Sequence, residues 1–321
     1  MTTPPMSPAA HAVSSIASDA VIEVQGLTKR YDGRAVVDDV SFTVHPGLVT
    51  GFLGPNGAGK STTMKMILGL VSPTSGHALI SKQDFRDLAN PAASIGALLD
   101  PNAVQGFRTG TQHLMWQARA AGIAPTAVKE KLDLVGLSDA ADRKVSGYSL
   151  GMRQRLALAG ALLADPAILI LDEPINGLDP EGILWMRQTL KRLAAEGRTV
   201  FVSSHLMDEM ERTADRVIII DRGRLIEDVT LSQLTTQSVN HRVSVRSGDD
   251  EALAAALSKA SGKVERDETG MVVTGLTPEQ IGRLALEARV PLERLHAKET
   301  TLENAFLQIT RMAENESGAT R

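Results

Sequence analysis

An α/β fold built on a mostly parallel sheet, followed by a small α+β C-terminal domain, is what the sequence predicts. Residues 167–171 (AILIL) form a continuous apolar run bounded by Pro166 and Asp172, the mark of a strand buried on both faces. Val200–Val202 and Val217–Ile220 repeat that style, with helical stretches between them. The short apolar run Val49–Leu53 leads into a Gly-rich turn and then a helical pattern, the context of a phosphate-binding loop.

Taken in order, Val21–Val24 and Val36–Val44 mix β-branched with polar residues, and Gly26, Gly33 and Gly47 mark turns. Met64, Ile67, Leu68 and Val71 follow at helical spacing. Residues 107–165 read as mostly helical, with one stripe of Leu114, Ala118 and Ala121 and another of Val128, Leu132 and Val135 ended by Gly136. After about residue 235, strand-like pieces at Val243/Val245, Val264, 271–274 and 291–295 alternate with helices over 250–260 and from Thr277. That order, β-α-β-β-α-β, suggests a split βαβ domain. Thr277-Pro278-Glu279-Gln280 is a helix start, with a capping Thr, Pro in the first turn and Gln three on. Thr300 and Glu303 open a last helix with Leu302, Phe306 and Ile309 on one face. There is no internal repeat.

The chain of 321 residues has room for one large and one small domain, and its 43% hydrophobic residues supply a core. Aromatics are only 3%, so that core is expected to be aliphatic. A net charge of -4 argues against nucleic-acid binding, and the lack of cysteine excludes disulfides and thiolate metal sites. No stretch approaches the roughly 18 apolar residues of a membrane span. The longest, Leu156–Ala164, stops at Asp165, so direct membrane insertion is not expected. Residues 1–20 are rich in Ala, Ser, Thr and Pro, carry only Asp19 as a charge, and lack the Lys or Arg of a signal peptide. The expected organisation is a disordered tail (1–20), a main domain (21–235) with a helical part at about 100–155, an accessory α+β domain (236–312) and a disordered tail (313–321).

Gly54-Pro55-Asn56-Gly57-Ala58-Gly59-Lys60-Ser61, followed by Thr62, fits G-x-x-x-x-G-K-[ST]. Glycines let successive backbone N–H groups turn toward phosphate oxygens, and the next helix adds its positive end. Lys60 reaches the β- and γ-phosphates and Ser61 offers a hydroxyl to Mg²⁺. Asp172 closes the apolar strand where an acid holds Mg²⁺, and Glu173 beside it can orient and deprotonate an attacking water. A carboxylate pair ending a strand is common; after a phosphate loop it carries weight. His205, after the strand at 200–202, is placed to bond the γ-phosphate. A lone His is more often structural, so its case rests on position.

These residues resemble the ATP-binding cassette (ABC) ATPase family over about 21–235, in the family's order. Tyr31 sits where an aromatic stacks on adenine, GPNGAGKST covers Gly54–Thr62, and Tyr148-Ser149-Leu150-Gly151-Met152 sits at the LSGGQ-type signature. LILDEP covers Leu169–Pro174, Gly177-Leu178-Asp179-Pro180 matches the D-loop, and Ser204-His205 the switch histidine. The resemblance implies a RecA-like core with antiparallel β and helical subdomains, ATP and Mg²⁺ as cofactors, and two cassettes paired head to tail. Each ATP would touch the phosphate loop of one chain and Ser149 and Gly151 of the other, with Asp179 nearby. The pair, expected as a homodimer, would dock on a separate multi-span permease at the cytoplasmic face of the cell membrane.

Two departures stand out. Leu150 and Met152 replace a Gly and the Gln of the signature, and Asp100, in Ile95–Pro101, occupies the glutamine position of the Q-loop. Asp100 could reach Mg²⁺ through water; its plain alternative is an exposed loop carboxylate. Both features, and the C-terminal T-L-E-x-x-F (Thr301, Leu302, Glu303, Phe306), are similar to the ATPases of bacterial bacitracin and daunorubicin exporters. The competing readings are an ABC ATPase working on ribosomes or nucleic acid and the ATPase of an importer. The first usually shows two cassettes or an inserted coiled coil, and neither is visible.

Overall fold

The computed structural model describes residues 21–233, 242–267 and 270–298, together with residues 302, 303 and 306. The tails expected at 1–20 and 313–321, Thr300 of the last capping box and Ile309 lie outside the described residues. The chain divides into two compact units, meeting between Val229 and Thr230.

The first unit holds two sheets. Strands β1 (Ile22–Tyr31), β2 (Arg34–Val44) and β4 (Ser75–Ile80) make an antiparallel sheet in the order β2-β1-β4. Strands β3 (Val49–Leu53), β5 (Ile95–Leu98), β6 (Ile168–Asp172), β7 (Thr199–Ser204), β8 (Arg216–Asp221) and β9 (Arg224–Thr230) make the second, in the order β5-β6-β7-β3-β8-β9. It is parallel from β5 through β8. β3, β6 and β7 are buried at every position, which is why they read as unbroken apolar runs rather than as alternation.

The core between the sheets is largely aliphatic, with one exception. Phe42 of β2, Phe52 of β3 and Phe201 of β7 meet at one point, with ring centroids 5.3–5.6 Å apart in tilted pairs. Half of the chain's six phenylalanines thus sit together, binding the antiparallel sheet to the parallel one.

Helix α1 (Lys60–Ile67) leaves the end of β3, and a short α2 (Pro91–Ser94) precedes β5. Helices α3 (Gly110–Ala120), α4 (Thr126–Leu134) and α5 (Leu150–Ala161) form the helical part. Its core gathers Leu114 and Ala118 of one stripe and Val128, Leu132 and Val135 of the other, with Leu156 and Tyr148; Ala121 of the first stripe is half-buried outside it. Thr109 and Gln112 start α3 with a reciprocal capping box. β5 passes hard against α5: a Cβ on Gly96 would lie 2.0 Å from the Ala161 carbonyl oxygen, so only glycine fits. Helices α6 (Pro180–Ala195) and α7 (Met207–Thr213) complete the unit.

The second unit follows β10 (Arg242–Ser247), α8 (Asp250–Lys259), β11 (Lys263–Asp267), β12 (Gly270–Thr274), α9 (Pro278–Glu287) and β13 (Leu292–Lys298). Its antiparallel sheet has the order β11-β12-β10-β13, a split βαβ arrangement. Val243, Val245, Met271 and Val273 face Leu253, Leu257, Ile281 and Ala285 of the two helices. α9 starts with the Thr277/Gln280 capping box that its sequence indicates.

Candidate active site

The polar residues singled out in the sequence collect at the C-terminal ends of β3, β6 and β7, where open parallel sheets bind ligands. Register makes this unavoidable. Leu53 lies opposite Ser204, and Asp172 opposite Ser203, so the phosphate loop, the acid pair and His205 all leave one edge of the sheet together.

The loop 54–59 is shaped by close contacts. A Cβ on Gly54 would lie 2.2 Å from the Ile220 carbonyl oxygen, which packs the loop onto β8. Gly59 (φ 106°) caps α1 without any side-chain hydrogen bond, and a Cβ there would lie 2.7 Å from the Val36 carbonyl oxygen. The first-turn N–H groups of a helix have no carbonyl of their own helix to bond. Here no cap side chain serves them either, and Pro55, Asn56 and Gly57 are exposed while Ala58 is buried. An oxyanion is the group that suits such donors. Ser61 and Thr62, in the first turn of α1, are half-buried.

Lys60 is 6% exposed. Its ammonium donates to the carbonyls of Gly54 (2.7 Å) and Pro55 (3.3 Å) and stands 3.5 Å from Glu173 Oε1. Glu173 Oε2 is 2.8 Å from His205 Nδ1. Lys60, Glu173 and His205 therefore form one line, with the carboxylate between a cation and an imidazole. Glu173 is held in a left-handed backbone conformation (φ 49°), an unfavourable state for a non-glycine residue. Its N–H donates to Ser203 Oγ (3.0 Å), and the Ser203 hydroxyl donates to Asp172 Oδ1. Ser203 thus fixes both acids. It does not stand out in the sequence; its role becomes visible only from the pairing of β6 with β7.

The remaining candidates are placed differently. Tyr31 is 48% exposed at the tip of the β1–β2 hairpin, with Lys29 Nζ 4.9 Å from its ring centroid. β2 runs past Gly59, so the hairpin stands beside the phosphate loop. Ser149 caps α5 by accepting from Met152 N–H (3.2 Å), and Gly151 lies in its first turn. A Cβ on Gly151 would meet nothing closer than 3.5 Å, so no packing within this chain demands glycine there. Asp179 caps α6 by accepting from Gly182 N–H (2.9 Å). The Asp100 carboxylate accepts from Asn102 N–H (2.8 Å) in a local turn, and Asp100 lines the neighbouring, larger concavity. A cavity of about 300 Å³ beside Asp172 and Glu173 is lined by Leu99, Pro101 and Asn102, but not by Asp100. Among the described residues no group of three His, Cys, Asp or Glu side chains could hold a metal. The donors that fit Mg²⁺ are the Asp172 carboxylate and the Ser61 hydroxyl, leaving the other positions to water and phosphate oxygens, as that ion prefers.

A second concavity of about 670 Å³ lies where β5 and the segment after it meet the helical part. Leu68, Leu70, Leu98, Leu99, Trp116 and Ile123 make it apolar. Leu70 is 64% and Trp116 52% exposed. His113 lines it too; burial, and then the nearby Arg108, push its imidazole below the usual range, toward the neutral form.

The fold and this end of the sheet define a P-loop ATPase. Comparison narrows the class. The family model described as "ABC transporter" matches residues 37–176, and one described as a domain of unknown function matches residues 241–303. The chain is 47% identical over 210 residues to the uncharacterized ABC transporter ATP-binding protein YhcH of Bacillus subtilis, covering 64% of this chain and 69% of that one. It is 37% identical over 244 residues to the bacitracin transport ATP-binding protein BcrA of Enterococcus faecalis (75% and 79% covered). It is 34% identical over 301 residues to the Nod factor export ATP-binding protein I of Rhizobium leguminosarum bv. viciae (91% and 96% covered). A solved structure of the ATP-binding subunit of an ABC transporter superposes with a TM-score of 0.62 at 29% identity, over 68% of this chain and 93% of that one. The chain belongs to the family of ABC transporter ATP-binding proteins. It binds nucleotide and hydrolyses ATP to power transport, and its partner is a membrane permease. Among the described residues no helix is long and apolar enough to cross a membrane.

Proposed function

We propose that this chain is one of two identical cassettes that close on two ATP molecules and drive an exporter from the cytoplasmic face of the membrane. The observation that carries the catalytic part is the line Lys60–Glu173–His205. A γ-phosphate entering the loop at 54–61 competes with Glu173 for the Lys60 ammonium. Glu173 is then left with His205 as its holder and is free to take a proton from water. The water oxygen bonds to the γ-phosphorus as the bond to the bridging oxygen breaks, giving ADP and phosphate. Mg²⁺ would be held by Ser61 and Asp172 and would neutralise phosphate charge. Tyr31 offers a ring face to adenine.

Ser149 and Gly151 support the paired arrangement. The Ser149 oxygen accepts from its own helix, so its proton is available outward, and Gly151 keeps the helix start bare without any need inside the chain. Both suit contact with the phosphates bound to a second copy, with Asp179 at the start of α6 beside the seam. The apolar groove around Leu70 and Trp116 suits a short amphipathic helix from the permease. Export is favoured by the bacitracin and Nod factor relatives. The separate unit at 242–298 is read as a prop and regulator of the pair.

The test is to purify tagged full-length chain from detergent-solubilised membranes, as wild type and as Trp116→Asp. Wild type is expected to bring a multi-span membrane protein in stoichiometric amount; the variant should lose it while keeping basal ATPase activity. Recovery of wild type with ribosomes or DNA and no membrane protein would overturn the exporter reading.

A further inference from the structure

The cavity beside the acid pair contains a side chain that the scheme above does not use. Gln154, on the first turns of α5, lines it together with Asp172, Glu173 and Asn176. It is 2% exposed, and its Oε1 is buried without a hydrogen-bond partner. Leu150, one turn earlier on the same face, lines the cavity too. Leu150 lies close over Gly177, where a Cβ would come within 2.4 Å of Leu150 Cδ2, so this face of α5 is pressed onto the segment that follows Glu173.

A buried carboxamide oxygen beside two carboxylates sets a definite chemical requirement. All three groups present acceptors, and ionised carboxylates have no proton to give. Asp172 already accepts from the Ser203 hydroxyl and Glu173 is held by Lys60 and His205, whereas Gln154 Oε1 has no donor. Once a γ-phosphate draws Lys60 away, a water between Glu173 and Gln154 supplies one, and the cavity of about 300 Å³ has room for it. A water that donates one proton to Glu173 and the other to Gln154 has both hydrogens engaged, and its lone pair is then turned away from both acceptors.

We infer that Gln154 is a positioning residue for ATP hydrolysis, accepting a hydrogen bond from the water that Glu173 activates and so fixing that water's lone pair for attack on the γ-phosphorus. Glu173 takes the other proton as the oxygen–phosphorus bond forms and the bond to ADP breaks. Gln154 itself neither gains nor loses a proton. Asp100, in its turn with Asn102, does not line this cavity, whereas Gln154 approaches it from the helix that Ser149 caps.

This inference rests on the hydrolytic reading, and its test separates the two. Steady-state ATPase is measured on full-length wild type, Gln154→Leu and Gln154→Glu, with Tm recorded for each. Gln154→Leu keeps the volume and removes the acceptor. It is expected to lower kcat about 10- to 100-fold with KM for ATP and Tm near wild type. Gln154→Glu restores an acceptor at the same reach. It should recover most of the loss above neutral pH, and its added charge should move the acid limb of the kcat–pH profile upward. Wild-type turnover in Gln154→Leu would overturn the inference and leave the ATPase reading standing. So would equal losses in both variants that track a fall in Tm. If Gln154→Leu does not fold, Gln154→Glu decides: turnover close to wild type above neutral pH with a shifted acid limb supports the inference, and a wild-type pH profile overturns it. An inactive wild type would instead sink the hydrolytic reading.

Discussion

The end of the parallel sheet and the unit at 242–298 solve different problems with the same kinds of residues. At the sheet end, charge is buried and the backbone is forced: Lys60 and Asp172 are nearly inaccessible, Glu173 sits at φ 49°, and Gly59 at φ 106°. In the 242–298 unit the charges stay at the surface. Arg246 pairs with Glu293 and Lys263 with Glu265, all well exposed, and its helices start with side-chain caps at Asp249 and Thr277. In the second region the left-handed residues Ser261 and Arg289 merely follow the ends of α8 and α9, whereas in the first the left-handed Glu173 carries a side chain of the site. Such strain persists where function requires it.

That contrast can be broken by removing the charge at its centre. Lys60→Ala should abolish turnover and weaken ATP binding by about a hundredfold or more, measured by nucleotide titration, while circular dichroism stays unchanged. A variant that keeps near-wild-type affinity would mean that the loop does not hold the phosphates.

The next largest effect is expected in the other region. Val245→Asp places a carboxylate among Leu253, Leu257 and Ile281 and should cost that unit more than about 3 kcal/mol. Nucleotide binding should survive, whereas ATP-dependent dimerisation, read by light scattering, should weaken. Unchanged dimerisation would remove the prop-and-regulator reading.

The smallest effect sharpens the comparison between buried and exposed charge. Burial raises the Asp165 carboxyl, but the hydrogen bond and charge of Arg198 and the charge of Lys131 outweigh it and hold the group below its ordinary value. Its contribution to stability is complete above the ordinary carboxylate range and is lost as pH falls through the depressed value. Asp165 is half-exposed, so Asp165→Asn should cost less than about 1 kcal/mol near neutral pH. The difference from wild type in urea melts should shrink under acid conditions.

Much of the active site is legible in the sequence because its signals are local. The phosphate loop is contiguous, and the acid pair follows an apolar run. What escapes is set by pairing across the fold. Ser203 matters because it lies opposite Asp172, Gln154 because α5 is pressed onto the loop after β6, and the groove because Leu70 and Trp116 come from distant segments. Strands β4 (SGHALI) and β9 (RLIEDVT) lack both clean alternation and an unbroken apolar run, so neither periodicity marks them. The three core phenylalanines are invisible to composition alone, since 3% aromatic content says nothing of where the rings meet.

The most direct test of the account is ATP turnover by Glu173→Gln, with nucleotide affinity measured on the same sample. Loss of the proton acceptor should lower kcat by about 10²- to 10⁴-fold while ATP remains bound, leaving the closed pair trapped with its nucleotide. Turnover within twofold of wild type would contradict the assignment of Glu173 as the base on which the catalytic scheme depends.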